Sequence, residues 1–186
     1  MLRELSGFAV PIKGACLPDI DSLMPNAPRE YRRGVHEGVD FYNGHVCVPV
    51  PKDAEALAAR DGVVVRADSE YRPLTRAESE SPTSDPAMLD RLRGRQVWID
   101  HGADERGQRI VSRYAHLDGV APAIRIGTMV RAGQVVGFVG NSGTPESLDD
   151  PQAEIHLHFE LRVGERFLGQ GMEPAAVRDL YRRLFA

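Results

Sequence analysis

Short runs in which apolar and polar residues alternate cover most of the chain from residue 35 onward. Such alternation predicts β-strands, since every second side chain then faces the same side of a sheet. The runs, each bounded by turn residues, are HEGVDFY, GVVVRAD, RQVWIDHG, RIVSRYAHL, QVVGFVG and IHLHFELRV. Their spacing of roughly ten residues predicts a mainly β fold of the sandwich or barrel type.

Helical patterns occur at two places. Residues 174–185 begin at a proline and carry basic residues in the last turn, which predicts a C-terminal helix. The apolar positions that recur there at helical spacing are Val177, Leu180, Tyr181 and Leu184. Residues 53–60, with the sequence DAEALAAR, are also strong helix formers by propensity.

Two segments interrupt the strand pattern. Residues 68–94 are rich in Ser, Thr, Pro, Glu and Arg, which predicts a solvent-exposed insertion. Within this insertion, the Asp85-Pro86 pair predicts the start of a short helix that Gly94 ends. Residues 144–154, with the sequence TPESLDDPQAE, form a second and acidic loop.

The segment that precedes the strands has a different character. Residues 1–34 contain four prolines and little periodicity, which predicts an irregular lead-in with one short strand at residues 8–12. We expect this lead-in to pack on a single domain that spans residues 35–186. That domain includes both the insertion and the C-terminal helix.

Composition limits the classes of function. Of the 186 residues, 42% are hydrophobic and 27% are charged, so the chain can bury an ordinary core. The net charge of −4 argues against a nucleic-acid partner, because nucleic-acid-binding surfaces are basic. No apolar run approaches the roughly 18 residues of a spanning helix, and the N-terminus lacks the apolar stretch of a signal peptide. The protein is therefore either cytoplasmic or has its targeting segment outside this sequence.

The two cysteines, Cys16 and Cys47, do not form a metal-binding pattern. They are too few for a disulfide scaffold and are not spaced like the cysteines of a zinc finger. A single bridge between them is compatible with an oxidising compartment, and the sequence leaves that pairing open.

His156 and His158 alternate with apolar residues in the run IHLHFEL. On a strand, these two histidines and Glu160 share one face, with successive side chains roughly 7 Å apart. One imidazole can then bind a metal ion while the other faces a metal-bound water. The same pattern also fits two surface histidines on a half-exposed strand, so by itself it is weak evidence for a metal site.

His36 and Asp40 form a second polar group, in HEGVD. On an extended strand their Cα atoms would lie roughly 13 Å apart, so both reach one ion only if the chain bends near Gly38. Together with His158, they would supply three ligands and leave a fourth place for water, as in catalytic zinc sites. Imidazole and carboxylate ligands without thiolate favour zinc over calcium or magnesium.

The remaining histidines are less informative. His116, in RYAHLDG, follows a strand and opens a loop, which is a common position for functional groups. His101 ends a strand beside a glycine, and a structural role is favoured there. His45 is interpreted as a turn residue.

The motifs HEGVD, YAHL and HLHFEL, in this order, resemble those of the lysostaphin/LytM-type zinc endopeptidases of bacterial cell-wall metabolism. The similarity covers about residues 35–163 and includes GVVVRAD, VWIDHG and GTMVRAGQVVGFVGNSG. It implies an antiparallel β-sheet domain with one Zn²⁺ in a groove. The implied metal ligands are His36, Asp40 and His158, and the implied catalytic residues that do not bind the metal are His116 and His156.

The resemblance also implies a function. That function is hydrolysis of peptide bonds in peptidoglycan stem peptides or cross-bridges. It would take place in the cell envelope, in the periplasm or outside the cell. Any signal or anchor segment would then lie outside this sequence. One alternative is a catalytically silent LytM-type regulator that binds other cell-wall hydrolases as protein partners. The presence of all five expected residues favours the enzyme.

Four details accompany this resemblance. Either His116 or His156 accepts the proton of the attacking water, and the assignment stays open. Asp118 and Glu160 are candidates for orienting these two rings, because they are close in sequence. The resemblance further implies that residues 53–60 are mostly strand, against their helix propensity. The insertion and the acidic loop depart from the family pattern where loops wall the groove.

Overall fold

The computed structural model describes residues 5–80 and 82–186. Residues 1–4 of the predicted lead-in and Ser81 of the predicted insertion lie outside the described residues. The strands are β1 (Pro28–Arg29), β2 (Gly34–Val35), β3 (Val39–Tyr42), β4 (Glu55–Leu57), β5 (Gly62–Ala67), β6 (Val97–Ala103), β7 (Arg109–Ala115), β8 (Leu117–Val120), β9 (Met129–Val130), β10 (Val135–Val139), β11 (His156–Val163) and β12 (Arg166–Phe167). The α-helices are α1 (Arg76–Ser79), α2 (Pro86–Leu92) and α3 (Pro174–Leu184). Short 3₁₀ helices lie at Asp21–Leu23, Glu30–Arg32 and Pro145–Leu148.

The strands form antiparallel sheets. The large sheet has the order β12-β11-β7-β6-β5-β9, and β3 pairs with the same edge of β11 as β12 does. A smaller sheet has the order β4-β10-β8, and β1 pairs with β2 in a separate ladder. The predicted mainly β, antiparallel fold is confirmed, and each of the six alternating runs contains a strand.

The core lies between the two sheets and under α3. The alternation in β11 places Leu157, Phe159 and Leu161 in the core, fully buried, while the histidines of the same strand face the other side. The apolar face of α3 buries Val177 and Tyr181 against the same core. The predicted C-terminal helix is confirmed from its first residue, a proline at a position that needs no backbone donor.

Two local expectations need correction. Residues 8–12 form no strand, because Pro11 cannot donate a ladder hydrogen bond and the segment makes isolated contacts such as Ala9 N to Ala59 O. Residues 53–60 contain a strand, as the resemblance implied, but only over Glu55–Leu57. Burial of small side chains against β10 outweighs helix propensity there.

The insertion contains the predicted helix and one more. Helix α2 begins after Asp85, whose carboxylate accepts a hydrogen bond from Met88 N at 3.0 Å. Helix α1 was not predicted, and a capping box between Thr75 and Glu78 closes its first turn. No helix in the described ranges is long and apolar enough to cross a membrane.

A disulfide bond joins Cys16 of the lead-in to Cys47 in the loop after β3. The pairing that the sequence left open is therefore present in the fold. His45, in the same loop, makes a hydrogen-bond contact of 2.7 Å with Asp19. These links fasten the lead-in along the edge of the large sheet on which the polar histidines lie.

Candidate metal centre

His36 and Asp40 meet because the chain bends at Gly38. Strand β3 starts only at Val39, and His36 instead joins the lead-in through backbone hydrogen bonds with Ala27 and Asn26 of 2.8 and 2.9 Å. A side chain at position 38 would overlap the backbone of the neighbouring strand β11, so the close approach requires glycine. The bend brings His36 Nε2 within 3.0 Å of Asp40 Oδ1.

His158 completes a cluster of three buried ligating groups. It lies opposite Asp40 in the register of β11 and β3. Its Nδ1 is 2.7 Å from Asp40 Oδ1 and 3.0 Å from His36 Nε2. Ligand atoms around a tetrahedral zinc ion lie about 3.3 Å apart when the bonds are about 2.0–2.1 Å long. Small outward shifts of these side chains would therefore accommodate the ion, and the donor set fits zinc.

The second nitrogen of each clustered histidine is already engaged. His36 Nδ1 donates to the carbonyl oxygen of Met24 at 3.1 Å, and His158 Nε2 lies 3.1 Å from Glu160 Oε1. Such contacts fix the ring orientation and leave the other nitrogen free for a metal. Glu160 is fully buried, and burial alone would raise its pKa. The guanidinium of Arg93, at 2.8 Å, together with His158 and Arg113 outweighs that effect and holds the pKa of Glu160 well below its usual value.

His116 and His156 lie next to this cluster. Their ring centroids are 4.5 Å apart, and His156 Nε2 is 3.8 Å from Asp40 Oδ1. His116 Nδ1 donates to the carbonyl oxygen of Ser142 at 2.8 Å, and His156 Nδ1 donates to that of Glu154 at 2.7 Å. In the neutral form of each ring, Nε2 is therefore a proton acceptor.

The groups that orient these two rings differ from those that the sequence suggested. Both orienting groups are backbone carbonyls, which carry no side-chain signature. Glu160 orients His158 instead, and the Asp118 carboxylate pairs with Lys52 at 3.0 Å. The interpretation of Asp118 and Glu160 as partners of His116 and His156 is therefore wrong.

The histidines differ in charge state. Burial lowers the pKa of His116 well below the usual value of histidine, and burial also lowers that of His156. Both are neutral at pH 7 and can accept a proton. Burial also disfavours the charged form of His158, but hydrogen bonds to Asp40 and Glu160 outweigh it and raise the pKa of His158 to about 8. Metal binding at neutral pH would therefore release a proton from the cluster.

The sequence model of peptidase family M23 matches residues 34–170, a range that contains the three clustered groups and both neighbouring histidines. This chain belongs to peptidase family M23. The resemblance to lysostaphin/LytM-type peptidases is thereby confirmed. A search of curated protein sequences found no match.

Solved structures support the M23 fold. A zinc-containing peptidase from Vibrio cholerae has a TM-score of 0.55 and 21% identity, with 87% of this chain and 38% of that chain covered. The chain thus spans well under half of that relative. The catalytic domain of the antimicrobial peptidase lysostaphin from Staphylococcus simulans has a TM-score of 0.50 and 18% identity, with 100% of this chain and 98% of that chain covered. At these identities the similarity concerns the fold.

The cluster of His36, Asp40 and His158 opens into a cleft of about 580 Å³. One wall is the lead-in, which contributes Leu23, Arg29 and Tyr31. The other includes Leu92 from the end of α2 and Glu146 from the acidic loop. Both segments that depart from the family pattern therefore wall the cleft, as the resemblance implied.

Sequence reasoning missed several residues of this M23 site. Tyr42 stacks on His156 with ring centroids 4.1 Å apart and planes within 11°, and its hydroxyl donates to Glu154 at 2.5 Å. Tyr42 lies two residues after Asp40 on β3, so the period of two along a strand places both side chains on one face. Arg29 and the Met24 carbonyl lie in the irregular lead-in, where no periodicity marks them.

We expect Gly38→Ala to weaken metal binding by at least about tenfold and the fold by about 1–3 kcal/mol, the range for overpacking. The added methyl group would push β3 away from β11 and separate His36 from His158. Zinc affinity by chelator competition and urea unfolding would measure both effects. Gly34→Ala is the matched control, since its methyl group would meet only Arg32, with O at 3.6 Å and Cγ at 4.0 Å, both ordinary contacts. Unchanged zinc affinity in Gly38→Ala would contradict the role of the bend.

Proposed function

We propose that this chain is a zinc-dependent endopeptidase that hydrolyses peptide bonds of peptidoglycan, in its stem peptides or cross-bridges. The observation that carries the proposal is the pairing of a three-ligand cluster with two histidines whose Nε2 atoms are free to accept protons. Membership of a peptidase family supports the same reaction class. A silent regulator would need neither the ligands nor the two oriented rings, so the enzyme is favoured.

His36, Asp40 and His158 would hold the zinc ion through Nε2, Oδ1 and Nδ1. When bound, zinc would lower the pKa of a coordinated water and polarise the scissile carbonyl group. The chemistry of the donors supports zinc, because two imidazoles and one carboxylate with an open place are typical of catalytic zinc.

His116 and His156 would handle the protons. A ring held through Nδ1–H takes up a proton at Nε2 and then donates from the same atom, so one group can serve first as base and then as acid toward the leaving amine. The second ring, when protonated, would hydrogen-bond the carbonyl oxygen as negative charge develops there. The two carbonyl contacts keep both rings aimed at the same space.

One feature supports a location of the protein in the cell envelope, either periplasmic or extracellular. The disulfide between Cys16 and Cys47 suits an oxidising compartment, since such bonds are rare in the cytosol. The cleft of about 580 Å³ has room for several residues of an extended peptide. Peptidoglycan is the envelope polymer whose peptides such a cleft would meet.

Digestion of purified cell walls tests the proposal. Metal-free protein would be incubated with peptidoglycan that contains direct or glycine-containing cross-links, with and without added zinc, and new amino and carboxyl ends would be identified by mass spectrometry. We expect zinc-dependent release of peptide fragments with defined ends. The alternative, a catalytically silent regulator, would be supported if zinc-loaded protein left every wall type intact but bound other cell-wall hydrolases.

A further inference from the structure

Arg29 touches the metal cluster from outside the strands that carry it. Its Nη2 lies 3.3 Å from Asp40 Oδ2 and 2.7 Å from the carbonyl oxygen of Ser22. The side chain is only 18% exposed and also lines the cleft. No element of the large sheet supplies this contact, because Arg29 ends β1 in the lead-in.

The two oxygens of Asp40 therefore have different surroundings. Oδ1 faces both clustered imidazoles, at 3.0 Å from His36 Nε2 and 2.7 Å from His158 Nδ1. Oδ2 faces the guanidinium of Arg29. We propose that Arg29 is a positioning residue that restricts Asp40 to binding the metal through Oδ1 alone.

This restriction bears on the proposed function, on which the inference rests. A carboxylate can bind a metal through one oxygen or two. If Oδ2 also turned to the ion, it would become a fifth ligand atom and crowd the place that a catalytic zinc site keeps for water. A charge-assisted hydrogen bond from Arg29 to Oδ2 opposes that turn, because the carboxylate would have to give up this contact with a positive charge.

Arg29 is itself held in place. The same Nη2 that faces Asp40 also donates to the Ser22 carbonyl, which fixes the guanidinium beside the carboxylate, and the pairing of Arg29 with Gly34 fixes its backbone. The disulfide at Cys16 fastens the same lead-in to the loop that follows β3. The lead-in thereby acts on the metal site through one side chain without supplying a ligand.

The test replaces zinc by cobalt(II), whose visible absorption weakens as its coordination number rises from four to five. We expect the wild-type protein to give the intense four-coordinate spectrum. Arg29→Ala should keep one equivalent of metal but show a weaker band, and its kcat on cell walls should fall by roughly 10- to 100-fold, as for other residues that support metal ligands. Arg29→Lys should restore part of both signals, since lysine offers a charge without the planar fork.

Arg33→Ala is the control, because it removes an exposed arginine of the same segment that lies outside the cluster. It should leave spectrum and kcat unchanged. Two results for Arg29→Ala would overturn the inference but not the proposed function. One is a spectrum like that of the wild-type protein. The other is loss of metal binding while circular dichroism shows that the protein is still folded. Wild-type protein that takes up no metal would overturn both the inference and the proposed function. A four-coordinate wild-type spectrum that weakens in Arg29→Ala, without wall cleavage by either protein, would support the inference and reject only the substrate.

Discussion

His158→Ala is expected to abolish zinc binding and peptidase activity together. The change removes one of three ligands and leaves His36 and Asp40, which are too few to hold a catalytic zinc. Without the ion, the pKa of the attacking water rises back to that of bulk water, and peptide hydrolysis should fall to background. Elemental analysis after gel filtration and release of wall fragments would measure the two losses.

The control for this prediction is His45→Ala. His45 lines the same cleft but lies outside the cluster, with its ring against Asp19. It should keep a full equivalent of zinc and most of the activity. Retention of one tightly bound zinc in His158→Ala would show that the ion is held elsewhere.

Loss of His158 also affects the fold, so a second variant is needed. The alanine would leave the buried carboxylates of Asp40 and Glu160 without their shared partner, and breaking a buried charged pair costs about 3–5 kcal/mol. His36→Ala leaves the contacts of His158 with both carboxylates intact. It should therefore lose zinc with a smaller effect on unfolding, and agreement of the two variants would assign the lost activity to the metal.

The regular part of the site follows from the sequence. Alternation in IHLHFEL predicts that His156 and His158 share one face of the strand. They do so in the fold, because the alternating residues Leu157 and Phe159 are buried in the core on the other face. The distance argument for His36 and Asp40 required a bend, and the chain turns at the glycine between them. Both deductions need only the geometry of a strand.

The supporting contacts could not be predicted in the same way. The groups that hold His36, His116 and His156 are backbone carbonyls, and any residue can provide a carbonyl. Their positions depend on the path of irregular segments, which have no periodicity. The irregular lead-in thus contributes more to the site than its proline-rich composition indicated.

The insertion illustrates a second reason. Its composition indicated a solvent-exposed loop, yet its last turn reaches the site. The carbonyl oxygen of Arg93 accepts a hydrogen bond from His116 N at 2.9 Å, while its guanidinium binds Glu160 across 67 positions of sequence. Ion pairs between residues so far apart leave no local pattern. Composition described the exposed part of the insertion correctly and said nothing about where its end would dock.

His116→Ala is expected to keep zinc and lose most turnover. His116 Nδ1 is bound to the Ser142 carbonyl, and no atom of the ring belongs to the three-ligand group, so zinc content should stay at the wild-type level. Removal of a proton-transfer group typically lowers kcat by about 10²–10⁴-fold. Steady-state cleavage of a wall peptide, with zinc content measured on the same sample, would separate the two properties.

The backbone at His116 calls for a second substitution. Its φ of 59° lies in the left-handed region, which asparagine tolerates better than alanine. His116→Asn should therefore reproduce the loss of kcat with less effect on stability, and full turnover in either variant would contradict the assigned role. If His116 and His156 act as one proton-transfer unit, the double variant with His156→Ala should be hardly slower than the slower single variant, because residues that act together are not additive. Effects that multiply would instead indicate separate tasks, with one ring as base and the other as donor to the carbonyl oxygen.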